Sequence, residues 1–305
     1  KKAAITLKKS SITTLKVLLK TFKWIIIIGI ICGFFAGGAA LGYVGALVKG
    51  EPVRDEDTIK MKMQQNTESS YAYFSDGSLI GQFRTDVDRR LVQLSEVPDI
   101  VVEALLAVED NDFREHVGVD LSGLLRAVKQ RLLNEPVQTG GSTITQQVAR
   151  NVFLTTARED SRKAREIFLA MRLERYLSKD EILQAYLNKV SFGNGSSGYN
   201  VYGIKSAAEG IFGITDLDEL NLAQAAYLVG LPQAPSTYSA FDGTGDFDEE
   251  GFNYAMERQR HVLNRMLESG RISQAEYEEA LSFDVRSSLS EKKPNKNAPN
   301  IPPSA

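Results

Sequence analysis

The chain has 305 residues, enough for one large domain or two smaller ones with a real hydrophobic core. Its formal net charge is −3, but seven lysines lie in residues 1–23, and the rest carries 29 basic and 39 acidic residues, a net charge of −10. That acidic balance argues against nucleic-acid binding, and the single cysteine, Cys32, excludes a disulfide framework and a thiolate metal site.

An uncharged run of 25 residues, 24–48, follows the basic tail 1–23. At about 1.5 Å per residue, a helix over this run can cross a hydrocarbon core of about 30 Å. The run is also too long for an ordinary removable signal peptide. Because lysine-rich flanks stay on the cytoplasmic side, the sequence predicts a single-pass membrane protein with its N-terminus inside and everything after residue 48 outside.

Three segments outside the helical part have a composition that predicts their structure. Residues 49–70 are polar and are predicted to be a linker. Residues 71–83 contain two strand-like runs around Asp76-Gly77, a pair typical of a β-hairpin turn. Residues 284–305 are rich in Ser, Lys, Asn and Pro, and are predicted to be disordered or to form a linker.

From Pro98 onward the apolar residues recur at helical spacing. The predicted helices are 99–110, 121–133, 143–154, 159–177 and 180–188, and further helical segments follow at 204–212, 220–230, 253–270 and 273–281. Two predicted capping boxes pair Thr143 with Gln146 and Ser178 with Glu181. The part after the membrane helix is therefore expected to be mainly α, with a small β element.

The segment AVEDNDFREHVG, residues 107–118, holds several carboxylates and one of the two histidines. Glu109 ends an apolar helix, so it is expected to be partly buried and suited to act as a general base. A metal site is a weaker alternative, because there is no HExxH pattern and a lone histidine is a poor zinc signature. An ordinary solvated helix end is a third possibility.

Two further segments could carry chemistry. In GGSTITQQVARN, 140–151, the hydroxyls of Ser142 and Thr143 and the free amides of a helix N-terminus make a plausible anion site, or an ordinary helix cap. The P-loop lysine pattern is absent, so nucleotide binding is not expected. In SRKAREIF, 161–168, Glu166 beside Arg162 is either a surface ion pair or a carboxylate that works on an anionic substrate.

These segments occur in an order that resembles a known family. AVEDNDFREHVG, GGSTITQQVARN, RKAREIFLAMRLE, SKDEILQAYLN and RQRHVLNRM resemble the five consecutive motifs of bacterial peptidoglycan glycosyltransferases. This module is the N-terminal catalytic part of class A penicillin-binding proteins, and it also forms the monofunctional transglycosylases. The resemblance covers roughly residues 71–280. Five ordered motifs are far more specific than any one of them.

The resemblance implies a mainly α, lysozyme-like, two-lobed glycosyltransferase domain over 71–283, with a small β-hairpin element and one transmembrane helix before it. The transpeptidase domain is expected to be absent after the tail 284–305. The implied reaction joins lipid II units at the outer face of the cytoplasmic membrane. The configuration at C1 of MurNAc inverts, and polyprenyl diphosphate leaves.

By motif position, the resemblance assigns Glu109 as the general base and Glu166 as the second essential glutamate. It places ten further residues at or beside the substrate: Asp110, Phe113, His116, Arg126, Ser142, Thr143, Gln147, Arg150, Arg162 and Lys163. His116 is then expected to orient its loop. A divalent cation, Mg or Mn, is expected near Glu109 and Glu166, with no metal ligands assigned.

The implied partners are lipid II, the growing glycan strand, membrane lipid, moenomycin-type inhibitors and other cell-wall synthesis proteins, with no nucleic acid. Two alternatives stay open: a lysozyme-like lytic enzyme that cleaves glycan strands, and a membrane-anchored scaffold with a degenerate site. The sequence departs from the family where Arg150 stands in place of the usual lysine. Extra residues in 192–203 leave that loop without an assigned role.

Overall fold

The computed structural model describes residues 2–50, 52–65, 71–75, 79–82, 87–123, 130, 133, 142–154 and 159–292. The chain forms two compact units. The first, the membrane unit, comprises Lys1–Pro52 and Glu159–Arg165, and the second, the catalytic unit, comprises Val53–Arg158 and Glu166–Ala305.

The membrane unit is built on one long helix, α1 (Lys2–Val48). Its stretch Leu18–Val48 is long and apolar enough to cross a membrane, and it includes the predicted span 24–48. The helix extends back through the basic tail because no proline or glycine interrupts residues 2–28. At its other end, Arg165 Nε donates to the Leu47 carbonyl oxygen at 3.5 Å, and so pairs an acceptor that the helix end leaves open.

The catalytic unit begins with a short helix that the sequence did not indicate. In the predicted linker 49–70, helix α2 (Glu56–Gln64) starts where the Asp55 carboxylate accepts the Thr58 N–H at 3.0 Å. The helix buries Ile59 and Met63. These two side chains lie one turn apart on the same face, which is too short a pattern to stand out in a polar segment.

Two small sheets lie among the described residues of this unit. Strands β1 (Tyr71–Tyr73) and β2 (Leu79–Gln82) pair antiparallel, as the predicted hairpin requires, while Asp76 and Gly77 lie outside the described residues. The second sheet contains β3 (Val87–Arg89), β4 (Ser191–Asn194) and β5 (Asn200–Tyr202) in the order β3-β5-β4. Strand β5 pairs parallel with β3 and antiparallel with β4.

The hairpin of β4 and β5 occupies the glycine-rich segment that was predicted as a loop. Its backbone needs positive φ at Gly193 (φ 83°) and Gly198 (φ 81°), a conformation that glycine adopts without strain. The fully buried Val201 anchors β5 in the core. The strands escaped prediction because each has only three or four residues, many of them polar or glycine.

The helices of the catalytic unit follow the predicted segments closely. They are α3 (Asp99–Glu109), α4 (Ile144–Phe153), α5 (Glu159–Tyr176, which starts in the membrane unit), α6 (Lys179–Lys189), α7 (Ile204–Ala207, continued by a π turn to Phe212), α8 (Leu222–Gly230), α9 (Glu249–Glu268) and α10 (Gln274–Ser282). The predicted helix 121–133 lies largely outside the described residues. Helix α9 packs against α3 and α8, and α4 packs against α6.

One of the two predicted capping boxes is complete. Ser178 and Glu181 cap each other's backbone N–H groups at the start of α6, as predicted. At the start of α4, Thr143 Oγ1 accepts the Gln146 N–H at 3.1 Å, but the reciprocal half of the box is wrong. The Gln146 side chain donates to the Gly118 carbonyl at 3.4 Å instead, because that buried acceptor lies within its reach.

The catalytic unit extends past its predicted end at residue 283. Val285 is buried (1% exposed), and the Ser290 N–H donates to the Ile211 carbonyl at 2.8 Å. The expectation of disorder or a linker from residue 284 is therefore wrong for 284–290. Single apolar residues within a polar stretch gave no periodic signal, while 293–305 lie outside the described residues.

Candidate active site

Glu109, the last residue of α3, is held by side chains from two other helices. The Gln147 amide on α4 donates to its Oε2 at 2.7 Å, and the Arg258 guanidinium on α9 donates to its Oε1 at 3.2 Å. The side chains of Arg258 and Glu109 are only 12% and 14% exposed. The carboxylate is thus fixed in a largely desolvated position that still reaches the surface.

The neighbouring carboxylate, Asp110, ties the end of α3 to the start of α4. The Ile144 N–H, at the first position of α4, donates to Asp110 Oδ2 at 2.9 Å. His116 Nε2 lies 2.9 and 3.0 Å from the two Asp110 oxygens, and the Gly118 N–H donates to His116 Nδ1 at 3.1 Å. These contacts assign the neutral Nε2–H tautomer, and both ring nitrogens are occupied within the loop.

An aromatic and ionic cluster packs against the loop that follows Glu109. Phe113 is fully buried, and its ring meets the His116 ring edge-on at 6.0 Å between centroids. The Lys179 ammonium lies 4.5 Å from the Phe113 ring centroid and donates to the His116 carbonyl at 2.6 Å and to Glu174 at 2.7 Å. In this structure Asp110, Phe113 and His116 therefore support the loop, and their contact with substrate stays a prediction.

The residues predicted in the second motif have different surroundings. Thr143 is buried (3% exposed), donates through Oγ1 to the Gly118 carbonyl at 2.7 Å and accepts the Gln146 N–H, so its hydroxyl serves the loop. Ser142 and Arg150 are half-buried. Gln147 contacts Glu109 directly, which makes it the member of this motif that the structure brings to the proposed base.

Four predicted site residues remain, and one of them lies outside the described residues. Glu166 is almost fully buried (2% exposed) in the part of α5 that belongs to the catalytic unit. Arg162 and Lys163 are half-buried in the part that belongs to the membrane unit. Arg126 lies outside the described residues. The roles of these four residues stay predictions.

Two residues at the site were not assigned from the sequence, Arg258 and Tyr186. Arg258 is the first residue of RQRHVLNRM, and Tyr186 lies in SKDEILQAYLN, so both belong to motifs already recognised. The Tyr186 hydroxyl is buried and has no hydrogen-bond partner among the described residues. Burial raises the pKa of Tyr186 well above its ordinary value, and the Glu109 charge raises it further, so the phenol is neutral.

The described side chains do not by themselves form a metal site. No group of three His, Cys, Asp or Glu residues in this part of the chain is arranged to hold a metal ion. The Glu109 oxygens face the donors of Gln147 and Arg258, and both nitrogens of His116 are engaged. A resident cation therefore does not fit these groups alone.

Residues 76–267 match the family model described as "Transglycosylase". The chain belongs to this transglycosylase family. It is 38% identical over 283 residues to penicillin-binding protein 1A of Pseudomonas aeruginosa, covering 92% of this chain and 32% of that protein. It is 36% identical over 265 residues to penicillin-binding protein 1A of Escherichia coli, covering 86% of this chain and 28% of that protein.

This transglycosylase chain thus spans about a third of the length of the curated relatives it matches. A crystal structure of penicillin-binding protein 1A from Haemophilus influenzae aligns with 75% of this chain and 22% of that one, at 25% identity and a TM-score of 0.41. The family expected from the five motifs is confirmed, and so is the mainly α fold with a small β element and one N-terminal apolar helix.

Proposed function

We propose that this transglycosylase module polymerises lipid II into glycan strands. Glu109 takes the proton from the 4-hydroxyl of the acceptor GlcNAc, and that oxygen attacks C1 of the donor MurNAc. The bond between C1 and the diphosphate oxygen breaks, the configuration at C1 inverts, and polyprenyl diphosphate leaves with the electron pair. The contacts of the Glu109 carboxylate carry this proposal.

Those contacts are the contacts of a base. Gln147 and Arg258 present N–H donors to the two carboxylate oxygens, and neither group can accept a proton from Glu109. An ionised carboxylate satisfies both donors and keeps further lone pairs for the acceptor hydroxyl. A lytic glycosidase needs instead a carboxylic acid that carries its own proton. The contacts and the family match both count against the lytic alternative.

The leaving diphosphate needs positive charge more than it needs a proton. Arg150 supplies one cation on the same helix as Gln147, and we assign Arg126, Arg162 and Lys163 as further candidates. Ser142 and Thr143 are proposed to line the anion's path, with Glu166 as the second glutamate. Since the described side chains alone form no metal site, a Mg or Mn ion belongs to this proposal only as an ion that enters with the substrate diphosphate.

The proposal also includes a location and partners. The seven lysines of the tail support an inside N-terminus, which puts the catalytic unit on the outer face of the bacterial cytoplasmic membrane. Lipid II, the growing strand and membrane lipid are then its partners. Moenomycin-type inhibitors are expected to compete with lipid II, and other cell-wall synthesis proteins are expected to bind the same module.

The test uses the purified full chain with lipid II and a divalent cation, with products resolved by chain length. The Glu109→Gln variant should lose polymerisation by a factor on the order of 100 to 10,000, because the amide cannot take the proton. Its thermal unfolding should stay close to that of the wild type. Glu115→Gln, at an exposed position in the same loop, is the matched control and should polymerise normally.

Strand polymerisation that persists in Glu109→Gln would remove the assignment of the base. Shortening of preformed glycan strands by the wild type would favour the lytic alternative. The absence of turnover on either substrate would leave a scaffold as the function.

A further inference from the structure

A groove with a cavity volume of about 820 Å³ lies on the catalytic unit, between the starts of α3 and α8 and the ends of α9 and α10. Its floor is apolar and is formed by Ile100, Leu222, Met266, Ile272, Ala280 and Phe283. Phe283 is 36% exposed although it is aromatic. The reaction proposed above uses none of these residues.

The rim of the groove is strongly acidic. Five carboxylates line it: Asp99, Glu103, Glu276, Glu279 and Asp284. Among the described residues that line the groove, the one basic side chain is that of Arg271, and it is already paired with Glu103. Asp99 and Glu279 are exposed, and neither has an ion-pair partner among the residues that the structure describes. The rim therefore keeps negative charge that a bound partner can neutralise.

The wall of the groove is also linked to the loop of the proposed base. Besides pairing with Glu103, Arg271 donates to the Asn111 side-chain oxygen at 3.0 Å. Asn111 follows Glu109 by two residues. A cation that binds Glu103 thus competes with Arg271 for that carboxylate, and Arg271 is the side chain that contacts this loop.

We propose that the groove is a docking site for an amphipathic segment of a partner protein, with aliphatic side chains on one face and lysine or arginine on the other. The apolar floor favours burial of aliphatic side chains, and the acidic rim selects cations and speeds their association. The same carboxylates repel phosphates, anionic lipid headgroups and acidic peptides. This docking site is separate from the polymerisation reaction and stands without it.

The experiment measures binding of a short synthetic helical peptide of leucine and lysine, with its lysines on one face. The peptide carries a fluorophore, and its anisotropy is followed with the full chain in nanodiscs of zwitterionic lipid, with empty nanodiscs subtracted. The wild type should bind saturably. The double variant Asp99→Lys/Glu279→Lys should raise Kd by about tenfold or more, because the rim then repels the peptide's lysines.

Glu278→Lys is the matched control. It makes the same charge reversal on α10 next to Glu279, but residue 278 does not line the groove. Its Kd should stay within about twofold of the wild-type Kd, because salt screens a surface charge that does not contact the peptide. Glu278→Lys should unfold at the temperature of the wild type, since the position is exposed, and the double variant only slightly lower, because Asp99 lies in the first turn of α3.

Three results would overturn the proposal. One is the absence of saturable binding to the wild type, and another is a Kd of the double variant that equals that of the wild type or of Glu278→Lys. The third is dimerisation of the chain through this face, shown by dimerisation that Phe283→Glu abolishes. That result would assign the groove to a second copy of the chain.

Discussion

At Glu109, side chains from three distant parts of the sequence meet within hydrogen-bond distance. Gln147 orients one oxygen of the carboxylate and Arg258 the other, so the remaining lone pairs point in fixed directions. A base that works on a hydroxyl needs this alignment, because proton transfer depends on hydrogen-bond geometry before it depends on acidity. The arginine also compensates a charge that is largely removed from water.

Replacing Arg258 by glutamine should therefore slow the reaction itself. The side chain keeps a donor but loses its charge and its reach, so kcat should fall roughly tenfold to a hundredfold, with a small change in KM. Steady-state polymerisation of lipid II measures both constants. Arg260→Gln, an exposed arginine on the same helix, should leave both unchanged. A large rise in KM at constant kcat would show instead that Arg258 binds substrate.

The family resemblance names Glu109 and Gln147 as candidate site residues, but it does not indicate the contact between Glu109 and Arg258. Spacing arguments work within one helix, where residues three or four apart share a face. Arg258 comes 149 residues after Glu109, and only the packing of α9 against α3 brings the two together. The Tyr186 hydroxyl, which has no hydrogen-bond partner among the described residues, was likewise beyond prediction, because a tyrosine beside apolar helix positions is ordinarily a core residue.

At the scale of helices and loops, the close approach of the loop 110–118 to α5 depends on Gly118. This residue has φ 88°, and a Cβ there would lie 2.7 Å from the backbone carbonyl atoms of Ala170 on α5. Its N–H also bonds His116, and its carbonyl accepts from Thr143. One glycine thus sets both the path of the loop and its distance from the helix.

Gly118→Ala should destabilise the protein, because both the strained φ and the backbone clash have to be relieved by moving the loop. The free energy of unfolding should fall by about 1 to 3 kcal/mol, and polymerisation should weaken as Glu109 shifts. Urea unfolding and a polymerisation assay measure the two effects. Gly243→Ala is the control, since a Cβ there meets nothing within 4 Å. Equal stability of the two variants would contradict this account of the loop.

A pH effect is expected where the end of α6 approaches β3. Burial, and then the charge of Arg89, lower the pKa of Lys189 to about 8 from an ordinary value of 10.5. Between these values the unfolded chain binds more protons than the folded one, so stability from this group rises with pH. Below pH 8 the lysine's unfavourable contribution to the free energy of unfolding no longer changes with pH. Its size is moderate, because solvent reaches this half-buried side chain.

Lys189→Met should therefore raise the unfolding temperature relative to the wild type more at about pH 7 than at about pH 9.5. The hydrogen bond from Lys189 to the Gln65 carbonyl, 2.9 Å, is lost at both pH values and cancels in that comparison. Scanning fluorimetry at the two pH values measures the difference. Lys205→Met, at another half-buried lysine, serves as the control. A difference that grows with pH would show that the folded protein favours the charged amine.

Helices could be predicted where apolar residues recur at helical spacing over several turns and a capping motif marks the start. Helix α6 shows both, since Ser178 and Glu181 mark its start and its buried positions recur at helical spacing. Helix α2 and the hairpin of β4 and β5 were missed because each buries only a few side chains. Tertiary packing decides such short elements, and it leaves little trace in the local sequence.

On the scale of the whole molecule, the N-terminal apolar helix and the transglycosylase region could be predicted, whereas the end of the catalytic unit could not. A long uncharged helix and five ordered motifs are strong signals, and the matched region, 76–267, lies within the predicted domain. The chain from 284 to 290 was assigned to the tail because its composition is polar. It packs through Val285 and the Ser290 N–H, which shows that two well-placed contacts outweigh the average composition of a segment.

The orientation of the whole chain rests on its charge asymmetry, which a labelling experiment can test. The only cysteine is Cys32, within the apolar helix, so a Cys32→Ser background allows one new thiol at a time. Ser10→Cys lies in the basic tail, and Ser95→Cys lies at an exposed position of the catalytic unit. In spheroplasts, a membrane-impermeant maleimide should label Ser95→Cys at once and Ser10→Cys only after permeabilisation, because the lysines keep the tail inside. The opposite labelling would place the catalytic unit in the cytoplasm and remove its access to lipid II on the outer face.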